Sequence, residues 1–417
     1  MSAHPHPRAI GGRMFDPLMK TLLAIFGVSA LFMAYRFTAG IGAVSNMTDG
    51  FTWGIWEPIN VVVFTGIGAG AFGVGLLCYL LNEGRYHPIV RPAVLVGAIC
   101  YTLGASSIVV ALGRYWNALL LPVVPHWWNL ASALLEVAIC VMAYVAVLWV
   151  EVLPSVLDGA AASSSPRWSA FGRSWGPRLA RAMPFIIALA ILLPTMHQSS
   201  LGGLMLIAGP KVHPLWHTAL LPALFLISCL SMGYGAVVVL VTLLRYAWSA
   251  RHDQKLLAGM SKVNAGLLIF YVALRLADVA WHGKLRYLGW NFVTFMFFLE
   301  LALFLAPAFM FLSPGVQRNR GKLFGAALLS VLAGALYRAD TYMTVYRPAG
   351  WSSTGEAIPS AWQYFPSLGE TVVTVGMAAL GVAIFLFVSR KFPVVVVDAT
   401  RERSTLGGGR IRAAQSR

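Results

Sequence analysis

Ten stretches of about twenty mostly apolar residues run along this chain, and that pattern restricts the fold more than any other feature of it. The hydrocarbon core of a bilayer is about 30 Å thick, a distance an α-helix covers in about 20 residues. Composition agrees: 58% of the 417 residues are hydrophobic, 11% are charged and the mean hydropathy is +0.73. Barrel strands alternate apolar and polar residues and would not give uninterrupted runs of this length. The expectation is an all-α, polytopic transmembrane bundle with helices over 17–39, 56–82, 92–115, 129–150, 183–207, 214–246, 259–281, 290–313, 322–345 and 370–389. Helices one to four and five to eight are expected as two four-helix bundles, with nine and ten as two extra helices.

The net charge of +16 is a matter of topology rather than of nucleic-acid binding. With both termini placed in the cytoplasm, 23 of the 31 Lys and Arg fall on that side, leaving eight for the opposite side and the outer helix halves. That asymmetry is the positive-inside rule of a prokaryotic cytoplasmic membrane. The chain divides into an N-terminal tail (1–16), a membrane domain (17–390) and a basic C-terminal tail (391–417) suited to anionic lipid. The only expected linker is cytoplasmic, over 151–182, with AASSSP at 161–166. Cys78, Cys100, Cys140 and Cys229 fall inside expected helices at unrelated spacings, so neither disulfides nor a metal or iron–sulfur site is expected from them.

Several apolar stretches carry an ionisable side chain away from their ends, where a charge costs at least ~2.5 kcal/mol on the mildest insertion scale and marks a functional site by default. Glu57 and Asn60 open the second helix, Arg114, Tyr115 and Trp116 end the third, and Glu136 lies about two turns into the fourth. His197 and Gln198 follow Pro194 in the fifth, Arg275 and Asp278 stand one turn apart in the seventh, and Glu300 is near the middle of the eighth. Most lie toward one side of the membrane, as the lining of a single pocket or path would. Arg275 and Asp278 are spaced to neutralise each other. Glu136 and Glu300 have no partner three or four residues away on their own helices, which suits them to proton exchange. His197 is open to three readings: a satisfied core histidine, a hydrogen-bond donor to a carbonyl, or a metal or haem ligand. For haem the candidate partners are poor, with His217 the nearest to a usable one. A literal GxGxxG at Gly68, Gly70 and Gly73 follows no strand and is not a dinucleotide site; Gly66 and Gly70 make a GxxxG packing face instead.

WGIW (53–56), EGRYHPIVRPA (83–93), GRYWN (113–117), LLPTMHQSSLG (192–202), KVHPLW (211–216), LRLAD (274–278), FFLE (297–300) and YFPS before Glu370 resemble, in order, the NrfD/PsrC family of quinone-reactive membrane subunits. The likeness is greatest to its HybB-type branch, the membrane subunits of respiratory nickel–iron hydrogenases. The resemblance implies a subunit without haem or iron–sulfur cluster of its own. It would pass electrons between a membrane quinone, menaquinone or ubiquinone, and an outward-facing, ferredoxin-like iron–sulfur subunit on the periplasmic side. That subunit would serve a hydrogenase or molybdopterin catalytic subunit. The chain departs from the pattern at Asn60, where similar hydrogenase subunits commonly carry aspartate.

Quinone chemistry couples two electrons to two protons, so a site needs donors to both carbonyl oxygens and a group that exchanges protons. Glu57, Glu136, His197, Asp278 and Glu300 are the candidate proton-handling groups. Asn60, Arg114, Tyr115, Trp116, His197, Gln198 and Arg275 are the candidate quinone contacts. A proton-coupled secondary transporter and a b-type haem cytochrome anchor are the rival readings.

Overall fold

The computed structural model of the protein describes residues 7–248 and 254–396. His4, His6, Arg251, His252 and the basic tail 401–417 lie outside the described residues.

Ten helices are long and apolar enough to cross a membrane: α1 Pro17–Ala39, α2 Trp56–Leu80, α3 Gly84–Ala111, α4 Ala133–Ala161, α5 Pro166–Ile207, α6 Leu221–Trp248, α7 Gln254–Trp281, α8 Phe292–Leu312, α9 Arg320–Tyr342 and α10 Leu368–Lys391. No sheet forms among the described residues, which hold only isolated bridges such as Val212 with Tyr346. Two four-helix bundles are present, but their membership differs from expectation. One is α2, α3, α4 and α5; the other is α6, α7, α8 and α9; α1 pairs with α10 against the first bundle. Chain order suggested grouping from the N-terminus, whereas burial decides it: α1 is mostly exposed, while α2 and α6 are covered on nearly all sides.

The two bundles meet along α2 and α6, where glycines let the backbones touch. A Cβ on Gly233 would lie 2.6 Å from the Gly70 nitrogen, and one on Gly70 would lie 2.9 Å from the Gly233 carbonyl. Backbone cannot give way as a side-chain tip can, so only glycine fits this crossing.

Residues 151–182, expected as a linker, are helical apart from 162–165. Leaving the membrane does not require leaving the helix: α4 runs on through Pro154 and α5 contains Pro177, so the helices persist despite residues of low helix propensity. At its 42 residues α5 is about 63 Å long, roughly twice the apolar thickness. The break comes where Ser165 precedes Pro166 at the first helical position.

Three helix ends also move. α3 stops at Ala111, so Arg114, Tyr115 and Trp116 lie in the following turn. α4 begins at Ala133, where the Ser132 hydroxyl accepts from the Leu135 amide at 3.3 Å. α6 begins at Leu221 rather than 214, leaving 212–220 as a loop that lies over the second bundle.

Candidate functional site

Polar residues gather at the junction of the two bundles, toward the end where α2 starts and α5 and α9 finish. The first two turns of α2, Trp56–Val63, are wound as a π-helix, which includes Pro58 with no amide hydrogen to donate. Glu57 and Asn60 sit on this stretch. Asn60 is fully buried and neither amide atom has a partner; Glu57 is half-buried with its Oε2 unpartnered. Beside them Glu370, at the start of α10, is held by four donors: the amides of Asn46, Ile55 and Ser367 and the hydroxyl of Tyr364 at 2.6 Å. Gly54, with φ +50°, makes room for that carboxylate, since a Cβ there would run into Glu370 Oε1.

α5 supplies His197 and Gln198. Ala190, Pro194, His197, Gln198, Leu201 and Met205 form one buried face of this helix, at the spacing a single helical stripe requires. Gln198 donates to Tyr101 Oη at 2.9 Å and to Thr65 Oγ1 at 3.2 Å, while its own Oε1 has no partner. His197 is 0% exposed, its ring lies 5.5 Å from that of Tyr101, and neither ring nitrogen has a partner.

Arg338 comes from α9. Its guanidinium is fully buried, donates to the carbonyls of Val62 at 3.3 Å and Phe225 at 2.5 Å, and leaves Nε unpartnered. Its Nε lies 3.5 Å from where a Cβ on Gly66 would be, and one turn further along α9 Tyr342 donates to the Leu201 carbonyl at 2.9 Å. Tyr342 in turn packs its ring 5.7 Å from that of Trp53, whose Nε1 is also buried without a partner. Arg338 and the adjacent acid Asp340, with a buried unpartnered Oδ2, were missed in the sequence although YRAD (337–340) lies inside an apolar stretch. The rule that found Arg275 and Asp278 finds this pair as well.

A second polar cluster lies inside the α6–α9 bundle. Arg275 and Asp278, spaced to pair, do not: Arg275 Nε reaches Glu300 Oε1 at 3.2 Å, with both side chains fully buried. Tyr271 donates to Glu300 Oε1 at 2.7 Å and Trp216 Nε1 to Oε2 at 2.9 Å. Glu300 therefore has partners, supplied by other elements rather than its own helix. Asp278 instead bonds Lys284 at 2.7 Å and Thr218 at 2.6 Å, with His282 at 3.1 Å. Asp278 lies within a turn of the end of α7, so the short Lys284 loop folds back onto it, whereas Arg275 is one turn deeper and meets α8.

Other expected residues stand apart from both clusters. Glu136 is exposed in the first turn of α4, because that helix starts four residues later than expected; a carboxylate there is favoured by the helix dipole. Arg114 and Trp116 are exposed, and Tyr115 packs edge-on to Phe37 of α1 at 4.7 Å. Arg36 of α1 crosses to donate to the carbonyls of Val110 and Leu112 at the end of α3.

The histidines do not fit a bis-histidine haem among the described residues. His213 is engaged by the Leu215 amide and the Gly355 carbonyl. His217 turns its Nε2 to the Leu206 carbonyl and, with His282, Lys284, Arg286 and Trp351, lines an outer cavity of about 220 Å³. Among the described residues, His197 alone has both ring nitrogens buried without a hydrogen-bond partner.

Ten membrane-length helices in two bundles, with unpartnered polar atoms buried where the bundles meet, define a multi-pass helical membrane protein with an internal polar site. Residues 43–345 match the family described as polysulphide reductase, NrfD, and the chain belongs to that family. It is 30% identical over 401 residues to the probable Ni/Fe-hydrogenase 2 b-type cytochrome subunit of Escherichia coli (strain K12), covering 95% of this chain and 96% of that one. It is 27% identical over 409 residues to the menaquinone reductase integral membrane subunit of Nitratidesulfovibrio vulgaris, covering 89% and 90% of the two chains. A putative dimethyl sulfoxide reductase membrane subunit of Halobacterium salinarum is 22% identical over 417 residues, covering 93% of each.

Proposed function

We propose that this protein is the quinone-reactive membrane subunit of a respiratory oxidoreductase complex, set in a prokaryotic cytoplasmic membrane with both termini inside. One observation carries the reading: Asn60, His197, Gln198, Glu57, Trp53 and Arg338, on elements that converge at one junction, all present buried polar atoms without partners. A buried polar atom left unpaired costs about 1–3 kcal/mol, and native proteins leave few of them. A quinone head group, two opposed carbonyl oxygens on a flat ring, would use several of these atoms at once. Relatives named as hydrogenase and menaquinone reductase membrane subunits support the same class of partner.

In this reading His197 and Gln198 hold the quinone carbonyls, with Asn60 beside them. Glu57 takes up or releases the protons that accompany two-electron transfer. Tyr101 and Thr65 hold Gln198 in place. Electrons arrive from, or leave to, an iron–sulfur subunit on the outer face, which serves a hydrogenase or molybdopterin catalytic subunit. Arg275, Asp278 and Glu300 belong to a proposed proton route through the second bundle. Glu136 and the Arg114–Trp116 turn, exposed at the outer ends of α4 and α3, are assigned no contact with the head group.

The test is the purified complex carrying His197→Ala. Quinone turnover is expected to disappear while reduction of a soluble dye by the catalytic partner continues. Unchanged quinone turnover would remove His197 and the polar groups around it from the function.

A further inference from the structure

Among the described residues three arginines are buried to 2% exposure or less, and their surroundings differ in one respect. Arg275 has the Glu300 carboxylate. Arg36 sits at the C-terminal end of α3, where the unpaired carbonyls carry the negative end of the helix dipole. Arg338 has neither. Its two acceptors are neutral carbonyls, Val62 in the π-helical opening of α2 and Phe225 in the first turns of α6, and it makes no ion pair among the described residues. Asp340 is two residues away on the same helix, a spacing at which side chains do not face each other. Its guanidinium lies 5.0 Å over the Phe225 ring, again a neutral partner.

A guanidinium cannot shed its proton to escape burial. An ion buried without a counter-charge is among the costliest arrangements a protein can hold. The cation kept at this site has its Nε free, beside Gly66, whose chain neighbour Thr65 holds Gln198.

We infer that Arg338 is the counter-ion for the reduced quinone head group at this junction, a role that rests on the quinone reading above. Quinone, two electrons from the partner's iron–sulfur cluster and two protons give quinol: both C=O bonds become C–OH. Each electron reaches the ring oxygens as negative charge before its proton bonds there. Arg338 holds that charge in a region with little water and gives up no proton itself; the protons come through Glu57. In the reverse direction it favours loss of the first proton from quinol by the same interaction.

The competing role is purely mechanical, a bridge tying the α2 carbonyl to the α6 carbonyl. The two are separated by measuring how the complex binds 2-hydroxy-1,4-naphthoquinone, whose ring hydroxyl is ionised at neutral pH, against the neutral 2-methyl-1,4-naphthoquinone. Wild type is expected to bind the anion at least tenfold more tightly. Arg338→Gln, which keeps a donor but no charge, should abolish that preference, and Arg338→Lys should restore most of it. Equal weakening of both compounds would assign Arg338 to the bridge alone and leave the quinone site standing. Binding of neither compound to wild type would overturn the site and this role together. Should Arg338→Gln not assemble, the wild-type preference decides alone: equal affinity for the two compounds refutes the proposal.

Discussion

Arg275 on α7 and Glu300 on α8 meet at 3.2 Å with no exposure to solvent on either side chain. The carboxylate is completed by Tyr271 and Trp216, and Arg275 also donates to the Leu215 carbonyl, so one ion pair ties two helices to the loop before α6. The Arg275 guanidinium lies 5.2 Å over the Trp216 ring and 5.1 Å over Phe297. Removing one charge leaves the other buried and alone. Arg275→Met is expected to cost about 3–5 kcal/mol, while Arg275→Met with Glu300→Gln, whose amide keeps an acceptor for Trp216 and a donor that the Tyr271 hydroxyl can accept from, should cost less than Arg275→Met alone. Thermal unfolding of the purified single and double variants reads this directly; a double variant as unstable as the sum of the two singles would show that the charges do not depend on each other.

The crossing of α2 and α6 sets the width of the junction in which His197 and Arg338 lie. Gly233→Val is expected to prevent assembly or lower the melting temperature sharply, because its side chain meets the backbone of Ala69 and Gly70 at 2.6–2.7 Å. Gly75, on the same helix as Gly70 but with nothing within 4 Å of its Cβ position, should accept Ala with little effect. Expression level and size-exclusion profile compare the two.

Proton transfer by a positioned side chain contributes typically 10²–10⁴-fold to a rate. Glu57→Gln is therefore expected to slow quinone turnover at least about tenfold, and Glu136→Gln to leave it within about twofold, since Glu136 is exposed away from the junction. Steady-state turnover of both variants in the intact complex checks the contrast; a larger loss at Glu136 would move the proton-handling acid to α4.

His213, in the loop between α5 and α6, is pushed down to about 4 by burial, against which its bond to the Gly355 carbonyl works only in part. In the unfolded chain the ring titrates near 6.5. Between these values the unfolded state binds the extra proton, so this contribution to stability is complete above about pH 7 and declines as pH falls from 6.5 toward 4. His213→Gln should flatten the pH dependence of the melting temperature in that window. An unchanged slope would mean that other groups carry it.

Helix existence was legible because a bilayer demands about twenty apolar residues in a row, and each of the ten stretches became a helix. Their ends were less so: Glu136 was expected two turns inside α4 and lies in its first turn, since Leu130 and Ala131 extended the apolar run from 129 but lie in a turn before Ala133. Arg275 and Asp278 show the same limit. Spacing along one helix made them partners, and two other elements, α8 and the Lys284 loop, claimed them separately. Arg338 was as visible in the sequence as Arg275, but nothing there distinguishes an arginine with a counter-ion from one without.

Hydropathy and the distribution of Lys and Arg depend only on which residues follow one another, so the sequence by itself determined a ten-helix membrane protein and the stretches along which its buried charges lie. Which of those charges meet is a matter of helix-to-helix distance, and that was decided by the tertiary structure: glycine contact between α2 and α6 joins the two bundles, and the junction so formed gathers residues from 53 to 342 around His197.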